Sequence, residues 1–350
     1  MSCDICPFNC KGAKETPYGL CNVIKLEEKT GLTFLNYGLV EYGLSCPEKL
    51  GFFHFYPGHE TLYIVTSGCN LKCFLCREYS LVFGNLKRTL KYAKKLLPQD
   101  IINLAHKVNA TNIIFSCNSI LNYEFLMQVI RLAIKENIGV GIITHGVFNT
   151  RKIRSIIELA DAFLVRFFGF SERSYSKLTI LPTGYRYAKI FSEEAYRHHK
   201  LLEISYTLVP SINDDPNEIS SFLEWISCHF GYNIPIHFRR FYPKYFLSHR
   251  TPTRTRELKR AWKEAKERGF RYVYIDDVFE GVERNTYCSE DGELLIMRIG
   301  EFIKVMNLEG KKCVRCGKEI PLVGKAKSNY HDTTLRYKFI VDGNTTSNST

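Results

Sequence analysis

Seven short apolar runs alternate with stretches of helical periodicity through the middle of this chain, and no other feature restricts the fold so tightly. The runs are Thr61–Thr66, Asn112–Phe115, Ile138–Thr144, Ala162–Phe168, Glu203–Val209, Ile234–Phe238 and Arg271–Ile275. Each is rich in β-branched or aromatic residues and bounded by polar or turn residues, the pattern of a buried strand. Between them, 122–136 sets Phe125, Val129, Leu132 and Ala133 on one stripe. The stretch 214–230 opens on Asp214-Asp215-Pro216, a cap followed by a proline near the first turn, and carries Ile219, Phe222, Leu223 and Ile226. The stretch 253–269 closes on Gly269. Strands joined through single helices make right-handed crossovers and a parallel sheet. The expected fold is α/β, a partial or full (β/α) barrel, with its chemistry at the C-terminal ends of the strands.

The flanks break this rhythm. Residues 1–50 hold four grouped cysteines among scattered glycines, 281–324 hold three more, and 325–350 are polar and expected to be disordered. The expected organisation is a metal-binding segment over 1–50, the barrel over 51–280, a zinc-ribbon-like segment over 281–324, and the tail. Hydrophobic residues make up 45 % of the 350, enough for a full core. No run approaches the ~18 apolar residues that cross a bilayer, and Met1-Ser2-Cys3-Asp4 has no leader character. A cytoplasmic protein without a membrane partner is expected.

Thirteen cysteines in that compartment are not a disulfide framework. Ten fall in three groups of ligand-like spacing: Cys3, Cys6, Cys10 and Cys21; Cys69, Cys73 and Cys76; Cys288, Cys313 and Cys316. The middle group, Cys69-x3-Cys73-x2-Cys76, follows the first strand directly. Three thiolates on one tight loop hold three irons of a [4Fe–4S] cube and leave the fourth open to a small molecule. A structural zinc would close itself with a fourth ligand, and none lies nearby in sequence.

This motif, in this place, resembles the cluster loop of the radical S-adenosylmethionine (SAM) enzymes. Four further stretches sharpen the likeness: Cys3 to Cys21 with Tyr18-Gly19-Leu20-Cys21; His54-Phe55-Tyr56-Pro57-Gly58; 208–215 (LVPSINDD); and 236–245 (IHFRRFYPKY) with Asn285-Thr286-Tyr287-Cys288. Together they are similar to the radical SAM member of the AmmeMemoRadiSam group, relatives of the glycyl-radical-enzyme (pyruvate formate-lyase) activases. The resemblance implies an oxidoreductase- or lyase-type enzyme in which a [4Fe–4S] cluster on Cys69, Cys73 and Cys76 cleaves SAM reductively. The resulting 5′-deoxyadenosyl radical would take hydrogen from a substrate. It also implies an electron donor such as ferredoxin or flavodoxin, and Memo-family proteins as partners. Leu75 would lie near the adenine, and Asn213 and His237, each following a strand, would line the pocket.

The chain also departs from that group where a pocket would be. The usual Thr-Tyr-Asn-Glu-Pro is Ser116-Cys117-Asn118-Ser119-Ile120, so Ser119 stands where an acid would meet the SAM amino group. Thr144-His145-Gly146 replaces Thr-Asn-Gly, and Arg166-Phe167-Phe168 replaces Asp-Leu-Lys, reversing a charge that faces either the SAM carboxylate or an anionic substrate. Asp276-Asp277 replaces Gly-Asn. Leu75, Ser119, Thr144, Arg166, Asn213 and His237 are the expected cofactor contacts; His237 and Cys117 are also the catalytic candidates.

The outer cysteine groups suit metal too. Cys3, Cys6, Cys10 and Cys21 give four soft ligands for zinc or an auxiliary Fe–S cluster. Cys288-x2-Asp291 and Cys313-x2-Cys316 form two knuckles, each followed by glycine, with Asp291 where a ribbon has cysteine. That set either ligates zinc as Cys3Asp or is a site that has been lost. The net charge is +12, and 239–271 alone has twelve Lys/Arg against three Asp/Glu, a surplus of nine. Such a surface suits an acidic redox partner, a phosphorylated substrate, nucleic acid, or only solvent. The competing functions are glycyl-radical activation of a protein partner, modification of RNA or protein, and non-catalytic metal binding.

Overall fold

The computed structural model describes residues 3–11, 19–27, 31–34, 37–83, 93–116, 119–279 and 281–329. Tyr18, Cys117, Asn118 and the tail from 330 lie outside them. After a short antiparallel hairpin, β1 (Ile24–Glu27) and β2 (Gly31–Phe34), one large sheet dominates. Its strands are β3 (Leu39–Ser45), β4 (Thr61–Thr66), β5 (Lys94–Lys95), β6 (Asn112–Phe115), β7 (Gly139–Thr144), β8 (Ala162–Phe167), β9 (Leu201–Leu208), β10 (Ile236–Arg240) and β11 (Val273–Asp276). The order across the sheet is β11-β10-β9-β8-β7-β6-β4-β3-β5.

The seven strands expected from sequence are the seven parallel ones, β4 and β6 to β11. Among the described residues the sheet stays open, with β11 and β5 at its edges, so the barrel is partial rather than full. The strand β3 is a difference from the sequence reading. It pairs antiparallel with β4 and carries β5 on its other side, so the sheet begins before residue 51. Its LVEYGLS pattern mixes buried and half-buried positions without a clean period, which hid it among glycines.

Helices cover one face. Pro216–Phe230 starts on Asp215, whose carboxylate accepts the Asn217 N–H at 2.8 Å. Its Ile219, Phe222 and Ile226 join Phe125 and Val129 of Tyr123–Lys135 and Leu258 of Thr255–Glu267 against the outward residues of the strands. The other, inner face is crossed by residues 52–56. A Cβ on Gly139 would come within 2.5 Å of the Tyr56 ring, and one on Gly141 within 2.9 Å of Phe55. Glycine at alternate positions of β7 therefore makes room for aromatic rings that plug this face near the strand starts.

The C-terminal region forms β12 (Thr286–Tyr287), β13 (Leu294–Ile299) and β14 (Phe302–Val305), one antiparallel sheet, and the hairpin β15 (Leu308–Glu309) with β16 (Lys312–Cys313). Leu295, Ile296, Ile303 and Leu322 pack on Phe53, Tyr272 and Tyr274, so this region covers the β11 side of the large sheet. The tail expected to be loose from 325 instead continues in place to 329. Lys327 N–H donates to Pro57 O at 2.9 Å, and Asn329 Oδ1 accepts the Ile303 N–H at 2.7 Å.

Candidate functional site

The loop after β4 reads Ser67-Gly68-Cys69-Asn70-Leu71-Lys72-Cys73-Phe74-Leu75-Cys76. Several hydrogen bonds tie it down. Asn70 Nδ2 donates to Val147 O at 2.7 Å, Phe74 N–H to Leu178 O at 2.8 Å, and Cys69 N–H to Cys21 O at 3.1 Å. Gly68 has φ +83°, and a Cβ there would sit 2.2 Å from Val23 Cγ2. The N-terminal segment lies that close against the loop, so the glycine is required twice over.

Cys69, Cys73 and Cys76 all line a chamber of ≈ 200 Å³ at the C-terminal ends of the strands. Leu75 and Phe168 supply apolar wall; Ser116, Arg166 and Thr207 come from the inner face of the sheet. The charged lining is Lys49, Arg77, Arg166, Arg239 and Arg240 against Glu78, a cationic surplus that favours an anionic group inside.

His145 follows β7 and is almost wholly buried. Its Nδ1 accepts the Val147 N–H at 3.1 Å, so the proton of the neutral ring sits on Nε2. That Nε2 lies 3.7 Å from Cys69 Sγ, in reach to donate to it. Burial holds the ring neutral, pushing its pKa down to about 3. The ring is also stacked on Phe148, centroids 5.3 Å apart.

The other expected contacts divide. Leu75 and Arg166 line the chamber, and Arg166 Nη2 donates to Leu50 O at 3.0 Å. Ser119 is buried and does not line the chamber, accepting from Thr66 Oγ1 at 3.5 Å; Ser116, also buried, lines it instead. Thr144 Oγ1 accepts the Gly146 N–H at 3.0 Å. Asn213 is consumed as a tie: its Oδ1 accepts the Val209 N–H, and its Nδ2 donates to Thr207 O at 2.8 Å and Phe168 O at 3.1 Å.

His237 is the clearest change from the sequence reading. Strand residues alternate faces, so His237 points to the inner face three residues before the strand end and does not line the chamber. It lies between Glu203 Oε2 at 2.8 Å and Asp276 Oδ1 at 2.9 Å, all three buried. Burial alone would lower its pKa, but Asp276 and Glu203 outweigh it and push it up to about 9. Both carboxyls are in turn held below their ordinary range by the histidine, against the burial that opposes them. Glu203 also accepts the Phe53 and His54 N–H groups, each at 2.9 Å. The residue locks the 52–56 plug to the sheet. Sequence reasoning gave no site role to Glu203 or Arg239, and marked His145 only as a departure from the family pattern. The signal for the first two was a charge at alternate positions of apolar strands: Glu203-x-Ser205-x-Thr207, His237-x-Arg239, Tyr274-x-Asp276.

The C-terminal set assembles. Cys288, Asp291, Cys313 and Cys316 bring one ligand atom each within 4.8 Å of one another, the one such group of His, Cys, Asp and Glu among the described residues. Cys288 Sγ is 3.4 Å from Cys316 Sγ, and Cys313 Sγ is 3.5 Å from Asp291 Oδ2. Tetrahedral thiolates around zinc stand about 3.8 Å apart, given Zn–S bonds of about 2.3 Å. The Glu293 N–H, donating to Asp291 Oδ1 at 3.0 Å, holds that carboxyl down at about 2. In the N-terminal segment Cys3, Cys6 and Cys21 are buried and Cys10 is half-buried. Cys3 N–H donates to Cys10 O, and Asn149 N–H to Ile5 O, both at 2.9 Å.

No protein-family model matches the chain. It is 28 % identical over 337 residues to the uncharacterized protein MJ0808 of Methanocaldococcus jannaschii, across 92 % of this chain and 96 % of that one. Solved structures it is similar to include a radical SAM methyltransferase from Sphaerobacter thermophilus (16 % identity, 69 % of this chain and 71 % of that one, TM-score 0.47). Others are TYW1 with a lysine-pyruvate adduct bound (15 %, 67 % and 81 %, 0.45) and Streptococcus suis SuiB bound to S-adenosylmethionine (11 %, 61 % and 48 %, 0.46). No described helix is long and apolar enough to cross a membrane.

Proposed function

We propose that the chain is a radical SAM enzyme with a [4Fe–4S] cluster on Cys69, Cys73 and Cys76. The observation that carries this reading is three thiols of one loop, at the C-terminal end of the first parallel strand, sharing one chamber wall. The donor set fits the group: three soft thiolates with no carboxylate ligand among them suit iron–sulfur and not a hard cation. Bound there, such a cluster would supply the one-electron reduction that splits the SAM sulfonium into methionine and a 5′-deoxyadenosyl radical.

The chain's own residues do the rest. Leu75 offers an apolar surface for the adenine, and Arg166 a charged donor for a carboxylate. The His145 Nε2–H donates to the Cys69 sulfur, which draws charge off the thiolate and orients it. Asn213, Thr144 and Ser119 are positioning residues that fix the strand-end loops. Cys3, Cys6, Cys10 and Cys21, buried or half-buried but not drawn within 4.8 Å of one another, are proposed as a second metal centre, zinc or Fe–S, and Cys288, Asp291, Cys313 and Cys316 as a structural zinc site. An acidic electron donor of the ferredoxin or flavodoxin type fits the basic face of Thr255–Glu267.

Anaerobic purification, reconstitution, metal analysis and addition of SAM with a strong reductant test this. Methionine and 5′-deoxyadenosine are the expected products. A fully loaded cluster that yields neither sinks the reading.

A further inference from the structure

A second, smaller compartment of ≈ 130 Å³ lies beside the cysteine chamber, at the ends of β10 and β11. Arg239 and Lys49 line both spaces. The turn at 48–51 and the β13–β14 turn close the compartment on two further sides. Its charges are partly paired: Lys49 with Glu301, Arg239 Nε with Asp277 Oδ2 at 3.1 Å, Asp276 Oδ1 with His237 at 2.9 Å, and Glu48 Oε1 with Arg298 Nε at 3.6 Å. Four buried polar atoms find no hydrogen-bond partner within the protein: Glu48 Oε2, Asp276 Oδ2, Arg239 Nη1 and Arg284 Nε. Their residues are all at least nine-tenths buried. Gly51 shows where two of these atoms aim. A Cβ on it would stand 3.3 Å from Asp276 Oδ2 and 3.8 Å from Arg239 Nη1.

We propose that this compartment is a subsite for the head group of an α-amino acid, taken as the zwitterion. The matching runs through charge. A lone anion satisfies Arg239 and Arg284 but meets the Glu48 and Asp276 carboxylates. A lone cation satisfies the carboxylates but meets the guanidiniums. A group carrying ammonium and carboxylate on one carbon satisfies both sets with charge-assisted bonds, which are stronger than those a neutral group makes. Buried polar atoms left without a hydrogen bond are costly, so a group that bonds to all four is worth affinity. The volume holds about four waters, or the roughly five heavy atoms of such a head group. A side chain would then extend past Arg239 toward Cys69, Cys73 and Cys76. That this head group belongs to the substrate of the radical reaction rests on the reading given above; the binding site itself does not.

Calorimetry on the purified chain, without added iron or SAM, tests the site with l-alanine as probe. Acetate and methylammonium are the single-charge controls. Saturable binding of alanine, at least tenfold tighter than either control, is expected. Arg239→Gln and Glu48→Gln, one at each end, should each weaken it at least tenfold while melting curves confirm the fold. Equal binding of acetate, no saturable binding, or unchanged affinity in both variants overturns the proposal. If neither variant folds, a crystal of the unaltered chain grown with alanine decides: density spanning Arg239 and Asp276 supports it, and ordered waters alone overturn it. S-adenosylhomocysteine carries the same head group. If it displaces alanine competitively, the compartment is the cofactor's own site and the separate subsite falls. SAM cleavage by reconstituted protein is a different measurement, so loss of alanine binding and loss of radical chemistry are told apart.

Discussion

Two cysteine loops of this chain use the same atoms for opposite ends. The loop at 69–76 offers three thiols on the wall of a chamber, with a neutral histidine behind one of them. The set at 288–316 brings three thiols and a carboxylate within 4.8 Å, four ligand atoms that can close around one ion. An open ligand set suits catalysis and a closed one suits folding. Their supports differ accordingly. The first loop hangs from strand ends and the N-terminal segment; the second belongs to the small β-region packed on Phe53, Tyr272 and Tyr274.

The sharpest way to break this contrast is to remove one thiol from each. Cys73→Ala should abolish cluster iron and SAM cleavage while bound zinc and the melting temperature stay near the parent's; metal analysis with an absorption spectrum reads both. Cys313→Ala should do the reverse, releasing zinc and lowering the melting temperature, with the cluster spectrum retained. If each variant loses both metals, the two loops are one cooperative unit and the contrast fails.

A smaller effect concerns the buried His237 between Glu203 and Asp276. Its pKa is raised to about 9, so its contribution is full below the ordinary ~6.5 and disappears as pH climbs through 9. The two carboxyls are lowered, so theirs is present above the ordinary range near ~4 and fades as pH falls. Stability should therefore peak between roughly pH 4.5 and 6.5 and decline toward 9. His237→Leu should cost about 3–5 kcal/mol, since it leaves two buried carboxylates facing each other, and should erase the alkaline slope in urea titrations run across pH. An unchanged slope would assign it to other groups.

The smallest expected change is electronic. His145→Phe removes the Nε2–H that faces Cys69 while keeping an aromatic ring against Phe148. The cluster potential should move negative by some tens of millivolts, against a scale of about 59 mV per tenfold for one electron. An EPR-monitored redox titration reads this without turnover. A potential equal to the parent's would reduce His145 to packing.

All seven parallel strands were legible as apolar runs, because a strand covered on both faces needs apolar residues at nearly every position. The helix starting at Pro216 was legible from its cap. The strand β3 was not, since its burial follows no simple period and its pairing is with β4, a partner no local pattern names. The cysteine loop was legible from spacing, whereas His237 was assigned to a pocket it does not line. Position after a strand gives the direction of a side chain, and the depth at which the 52–56 plug meets it is a tertiary matter.

Sequence by itself determined the alternation, and through it the parallel sheet and the end at which the cysteines stand; these follow from local periodicity and the handedness of crossovers. It also determined which atoms are available as soft ligands. Only the tertiary structure decided which of those atoms meet. It closed Cys288, Asp291, Cys313 and Cys316 into one set across a 28-residue span, turned His145 onto Cys69 from a different strand, and gathered Glu48, Arg239, Asp276 and Arg284 around one space. Contacts between residues far apart in the chain depend on how sheet, plug and ribbon stack, and no short stretch of sequence encodes that distance.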